Sequence, residues 1–290
     1  MKKLAALRGR YHEQIGSQLV RASKKGETTY PNFADGNSQT SVEIARGISA
    51  ALGFEAIEGK IDGQTAGNLF ETLTRGFIAS AFATLAHLRP GEWTYQTAQT
   101  TISKFVQYQH LSLLDSLVKT EPHLAAALGQ GYIVTPDIVI VRQPVTEDEI
   151  NHREPLIESD DPIAELTQFR ASNQSDSPAL PFLHASVSCK WTIRSDRSQN
   201  TRTEALNLIR NRKGSLPHIV AVTAEPLPMR IASLALGTGD LDCVYHFALP
   251  ELRAACATVE RGEDQLEMLD TMIRGNRLRD ISDLPFDLAV

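Results

Sequence analysis

The sequence predicts an α/β protein in which helices pack on a central mixed β-sheet, and three observations carry that prediction. Apolar residues recur at helical spacing through the first third of the chain. Short β-branched runs dominate from about Tyr132 onward, and a helix-period segment separates two of those runs. In chain order, Ser41 to Leu52 aligns Val42, Ala45, Ile48 and Leu52 on one helical face and stops at Gly53. Asn68 is a candidate cap for a second helix to Leu88, with Leu69, Leu73, Phe77, Ala81 and Leu85 in line, ended by Arg89-Pro90-Gly91. A third helix is expected over Ser103 to Val118.

Tyr132 to Val141 reads as a strand around Asp137. In Ala185 to Ile193, Val187, Cys189, Trp191 and Ile193 alternate with Ser186, Ser188, Lys190 and Thr192, so the two sets face opposite sides. His218 to Ala224 and Leu241 to Ala248 are further strand-like runs. A helix from Thr201 to Arg212, closed by Gly214, lies between the second and third of these four runs.

The chain has 290 residues, 42% hydrophobic and 22% charged, which excludes disordered, collagenous and coiled-coil classes. That length suits two domains or one large α/β domain. No run approaches the roughly 18 apolar residues of a membrane-spanning helix, and Met1 to Arg8 has no apolar stretch behind its charges. Cys189, Cys243 and Cys256 fit neither a disulfide framework nor a zinc site, so reduced thiols in a cytosol are expected.

A net charge of −6 argues, at first sight, against a polyanionic partner. Its distribution reverses the argument. Val145 to Pro181 holds nine acids against Arg153 and Arg170, a net −7, leaving +1 for the rest. That acidic segment has the composition of an irregular insertion or linker. From Arg194 to Lys213 six bases face two acids, and such a basic stripe beside a metal site is what a phosphate backbone needs.

The combination with chemical content is Pro136-Asp137 in one strand, Ser188-x-Lys190 in the next, and Glu204 in the following helix. Phosphodiester hydrolysis needs an in-line water, a stabilised phosphorane and a stabilised leaving oxygen. Carboxylates holding Mg²⁺ and a lysine at the attacked phosphate meet those needs. Each part also has a plainer reading. Pro136-Asp137 could mark a strand start or edge, Lys190 a solvated edge lysine, and Thr201-x-x-Glu204 a helix capping box. Arg194-Ser195-Asp196-Arg197 suits adjacent G·C pairs, since arginine pairs with guanine O6 and N7 and aspartate accepts from cytosine N4. It also reads as a charged turn paired with itself, and the basic helix end as a complement to the helix dipole.

Other features are weaker. Gly237-Thr238-Gly239 is an incomplete dinucleotide fingerprint, no P-loop occurs, and His184, His218 and His246 lack metal-ligand spacing. Ser188 has no evident histidine and aspartate partners for a hydrolase triad.

The stretch His184 to Leu249 closely resembles the NgoMIV-like type II restriction endonucleases, the CCGG-recognising group of the PD-(D/E)xK superfamily. So do Asn32 to Gly47, Gly63-Gln64-Thr65 to Glu71, Thr135-Pro136-Asp137-Ile138 and Asp280 to Pro285. The resemblance fades in the first thirty residues, from Thr94 to Gln107, and through the acidic segment at about 145–181. It implies a single restriction-endonuclease-like catalytic domain over 1–290, with a central mixed sheet flanked by helices. It also implies a rearranged site in which Ser188 stands where an acid is usual and Glu204 supplies that acid.

By the same resemblance Asp137, Glu204 and the Cys189 carbonyl would hold one or two Mg²⁺ ions. Lys190 would act at the phosphate, and Glu71 would be a further acid of the site; without the resemblance Glu71 reads as a surface residue. Arg194, Asp196 and Arg197 match readers of the inner CCGG, and Asp35, Gln64 and Arg230 match positions contacting the outer G·C pair. The implied activity is cleavage of double-stranded DNA at GCCGGC after the first G, leaving a 5′ CCGG overhang. A homotetramer holding two site copies and a cognate DNA methyltransferase in a prokaryotic host follow from the same source, whereas a cytoplasmic location and no membrane partner are expected from the cysteines and the lack of an apolar span. Two rivals remain open: a PD-(D/E)xK repair or recombination nuclease reading DNA structure, and a catalytically silent DNA-binding module.

Overall fold

Helix α1 (Lys3–Gln18) leads into a two-stranded hairpin, β1 (Ala22–Lys25) and β2 (Thr28–Pro31), then α2 (Gln39–Ala51) and α3 (Gly63–Ala83). The computed structural model describes residues 2–55, 57–97, 100–121, 123, 126, 134–158, 162–171, 179–193, 195–237, 239–260 and 262–290, apart from the side chains of 195–198. Strand β3 (Trp93–Thr97), α4 (Leu111–Thr120), β4 (Ile138–Arg142) and the short α5 (Glu147–Ile150) follow. Next come β5 (Phe182–Lys190), α6 (Ser195–Asn211), β6 (His218–Thr223), α7 (Pro228–Ala235) and β7 (Cys243–His246). Helices α8 (Leu249–Cys256) and α9 (Glu263–Arg274), strand β8 (Leu278–Asp280) and α10 (Leu284–Asp287) close the chain.

Strands β3 to β8 form one six-stranded sheet in chain order, antiparallel from β3 to β5 and parallel from β5 to β8. The α/β expectation with a central mixed sheet therefore holds. Ile138 to Val141 is buried at every position, the pattern of a strand covered on both faces. Helices α1 and α3 pack through Tyr11, whose ring lies 5.1 Å from Phe77 and whose hydroxyl bonds Thr74 Oγ1 at 3.0 Å. Helices α2 and α8 approach so closely that a Cβ at Gly47 would stand 2.7 Å from Ala255 Cβ. Arg8 binds both Glu251 and Asp280, tying α1 to α8 and β8.

Several boundaries differ from the sequence reading, each for a physical reason. Helix α3 starts five residues before Asn68, because the Asp62 carboxylate accepts from the Gln64 and Thr65 N–H groups and caps it there. The expected third helix begins as two 3₁₀ turns, Ile102–Lys104 and Val106–Tyr108. Ile102, Phe105 and Tyr108 are buried at a spacing of three, which suits that tighter geometry. The β5 strand runs from Phe182 rather than Ala185, and Trp191 and Thr192 lie beyond it. Strand β3, α1 and the C-terminal helices had no sequence expectation.

The acidic segment is not a bare linker. Thr146 and Glu149 form a capping box on α5, Val145 bridges Arg170, and Arg170 is ion-paired with Glu147. Among the described residues no helix is long and apolar enough to cross a membrane.

Candidate active site

Strand polarity gathers the chemistry at one end of the sheet. Lys190 ends β5, and Asp137 immediately precedes β4, its antiparallel neighbour, where Ile138 pairs with Val187. Asp137 is thus at a strand start, as the plainer reading allowed, but β4 and β5 are interior strands, so Lys190 is no edge lysine. The strand starts late because the Asp137 side chain takes the place of a ladder carbonyl: its Oδ2 accepts from Cys189 N at 2.7 Å. The same oxygen accepts from Lys190 Nζ at 3.0 Å and Ser188 Oγ at 3.3 Å. Among the described residues nothing donates to Oδ1.

Glu71 on α3 and Glu204 on α6 line the same cleft, about 470 Å³, with Asp137, Cys189, Lys190 and Gln64. Gln64 and Glu71 are seven residues apart, two helical turns, hence on one face. Burial, reinforced by the Asp137 charge, pushes the Glu71 carboxyl up to about 7. Burial also raises Glu204, with Lys190 opposing and Asp137 adding to the shift. Neither carboxyl receives a hydrogen bond from a described residue. Glu204 lies in the third turn of a helix that begins at Ser195, so Thr201 and Glu204 do not form a capping box at its start.

Among the described residues three carboxylates therefore face one lysine, and that imbalance fits a divalent cation. Asp137 Oδ1 and the Glu204 carboxylate are open oxygen donors of the kind hard cations prefer. The Cys189 carbonyl points to the same side as its N–H, past the first paired residue of β4, where no ladder partner awaits it. The Cys189 thiol is buried and held well above the ordinary thiol range, so only the carbonyl of this residue suits a cation. Among the described residues no three His, Cys, Asp or Glu side chains close on a point as a finished metal cage. Two carboxylates and a carbonyl suit an ion that keeps several of its waters.

A second groove of about 1110 Å³ adjoins this cleft, sharing Asn32 and Thr192 as walls. It brings Asp35 and Arg230 together as an ion pair, with Asn37 N donating to Asp35 Oδ1 at 2.9 Å. These bonds hold the Asp35 carboxyl below its usual range. Gln64, grouped with these two by the resemblance, stands on the catalytic side, where its amide donates to Asn68 at 2.8 Å. Arg194 and the side chains of Asp196 and Arg197 lie outside the described residues; the backbone from Ser195 is helical, so Asp196 and Arg197 belong to the first turn of α6 rather than to a turn before it.

The basic stripe does not stay together. Arg202 is engaged by Asp240 and the Leu236 carbonyl. Lys213 N donates to the Gln107 carbonyl, and the Gln107 side chain binds both backbone groups of Leu183 near the start of β5. Leu183 is ~20 Å from Lys190 at the rise of an extended strand. The end of the stripe at Arg210 to Lys213 is thus remote from the cleft.

Sequence reasoning missed Glu225, which is 1% exposed and lines the second groove. A signal existed: an acid directly after an apolar strand run, at the carboxyl edge of parallel strands where ligands gather.

The NgoMIV restriction enzyme family model matches residues 11–290. The chain belongs to that family. It is 50% identical over 261 residues to the type II restriction enzyme NgoMIV of Neisseria gonorrhoeae, covering 89% of each chain. Among solved structures it is similar to the type IIF restriction endonuclease Bse634I with cognate DNA, at 15% identity and a TM-score of 0.36, covering 89% of this chain and 98% of that one. It is also similar to the restriction endonuclease PspGI in a substrate DNA complex, at 13% identity and a TM-score of 0.25, covering 87% and 92%. This NgoMIV-family protein is a DNA-binding type II site-specific deoxyribonuclease, which displaces both the repair-nuclease and the silent-module readings.

Proposed function

We propose that this restriction endonuclease cuts double-stranded DNA at the palindrome GCCGGC after the first G, leaving a 5′ CCGG overhang, with Mg²⁺ as cofactor. The observation that carries the catalytic part is the convergence of Lys190, Cys189 N and Ser188 on one oxygen of Asp137, beside Glu71 and Glu204. Asp137, Glu204 and the Cys189 carbonyl would hold one or two ions, with Glu71 a further acid lining the same cleft. Bound there, the cation supplies Lewis acidity and lowers the pKa of a coordinated water.

Lys190 does the remaining electrostatic work. Its ammonium exchanges Asp137 for a non-bridging oxygen of the attacked phosphate, and so offsets charge as the phosphorane forms. Ser188 donates to Asp137 and keeps that carboxylate oriented. Arg194, Asp196 and Arg197 read the inner CCGG; Asp35, Gln64 and Arg230 contact the outer G·C pair.

The same proposal includes a cytoplasmic homotetramer that holds two copies of the site, alongside a cognate methyltransferase protecting host DNA. Leu156 and Leu166 in the acidic segment and Leu113 on α4 are 61%, 94% and 68% exposed, apolar surface suited to cover by another subunit. Plasmid digestion with Mg²⁺ followed by sequencing of the ends tests the activity. Discrete CCGG overhangs at GCCGGC are expected, and ends at any other sequence overturn the specificity. Mass measurement in solution tests the tetramer, for which a monomer or dimer at working concentration is the contrary result.

A further inference from the structure

Glu225 follows β6 and sits at the floor of the second groove with 1% of its surface exposed. A carboxylate this deep persists only when its oxygens are occupied, and here each holds a different element. Oε2 accepts from Ile193 N at 2.9 Å, and Oε1 accepts from Leu227 N at 3.2 Å. Leu227 caps α7, which carries Arg230, and Arg230 Nη1 lies 3.9 Å from Oε1 while its Nη2 binds Asp35. Ile193 is the residue directly before Arg194 in the chain. The carboxylate also connects backward: Glu225 N donates to Thr223 Oγ1 at 3.1 Å, and that hydroxyl donates to the Lys190 carbonyl at 2.8 Å.

We propose that Glu225 is a positioning residue that couples reading of the inner and outer base pairs. It fixes the entry to the Arg194–Arg197 segment and the N-terminus of the Arg230 helix with one rigid group. The inference rests on the base-reading roles proposed above for those residues, and on no contact between Glu225 and DNA.

Glutamine is the sharpest substitution, because it keeps the volume but offers one acceptor where two backbone N–H groups need one each. The test measures equilibrium binding in Ca²⁺ of three duplexes, the cognate site, one altered at an inner pair and one altered at the outer pair. Arg230→Ala is expected to lower discrimination at the outer pair alone. Glu225→Gln is expected to lower it at both pairs, by about tenfold each. A remote core truncation, Ile281→Val, controls for loss of stability and leaves both ratios as in wild type.

Glu225→Gln that keeps wild-type discrimination at either pair overturns the coupling while the base-reading roles stand. A loss equalled by Ile281→Val also overturns it, since general loosening then explains the effect. If the wild-type protein itself fails to discriminate at these pairs, the base-reading roles fall and the coupling falls with them. Should Glu225→Gln not fold, Glu225→Asp, too short to reach both N–H groups, gives the same readout with the charge retained.

Discussion

The candidate catalytic cleft and the proposed recognition groove adjoin and share two walls, and burial raises acids in both, yet those acids are partnered differently. In the cleft, Glu71 and Glu204 lack donors among the described residues, Asp137 is paired with Lys190, and both glutamates are held above their usual range. In the groove, Asp35 is paired with Arg230 and Asn37, and Glu225 has both oxygens bonded. Among the described residues the cleft holds more acids than bases, which suits the cation and phosphate of the proposed function. The acids of the groove are already partnered, so under the proposed reading a base edge would have to replace those partners.

The strongest way to break this contrast is Lys190→Ala. Removing the one cation that lines the cleft among the described residues should lower cleavage by roughly 10³-fold while cognate binding in Ca²⁺ persists; plasmid cleavage and gel retardation measure both, and retained cutting ends the catalytic role. Asp196→Ala should weaken cognate binding by about 1–3 kcal/mol without unfolding the protein. A cognate-to-scrambled ratio equal to that of wild type removes Asp196 from the readers.

Glu71→Gln should act on stability in the other direction. A carboxyl raised to about 7 contributes stability below its ordinary 4.5, and that contribution is lost as pH rises through about 7. In metal-free buffer at alkaline pH the variant should therefore be more stable than wild type, by ~1 kcal/mol after solvent screening. Mg²⁺ should raise the melting temperature of wild type more than that of the variant. Equal melting shifts would show that Glu71 is not part of the charge imbalance. The smallest effect belongs to Asp35→Asn, where a part-exposed pair should cost less than about 1 kcal/mol of stability yet reduce discrimination at the outer pair. A large melting loss there would make the groove's pairing structural rather than exchangeable.

Much of this was legible in residues 184–249, where alternation put Ser188 and Lys190 on one face and an α/β order followed from period alone. The helix starts were less legible, since Asp62 and Asn68 are chemically equal caps and only the satisfied N–H groups distinguish them. The Thr201-x-x-Glu204 spacing pointed to a capping box because a local pattern is blind to a helix that begins six residues earlier.

By itself the sequence determined the alternation of β5, the candidate acids and lysine, the uneven placement of charge and the family resemblance. The resemblance already assigned Glu71 to the site, but tertiary structure alone decided that Asp137 Oδ2 accepts from Cys189 N and Lys190 Nζ and that Arg210 to Lys213 end away from the cleft. It alone exposed Glu225 as a buried carboxylate bonded to both Ile193 N and Leu227 N. The reason is that periodicity specifies which face a side chain takes on its own element, whereas the neighbour across that face is set by strand order, register and the return path of the chain.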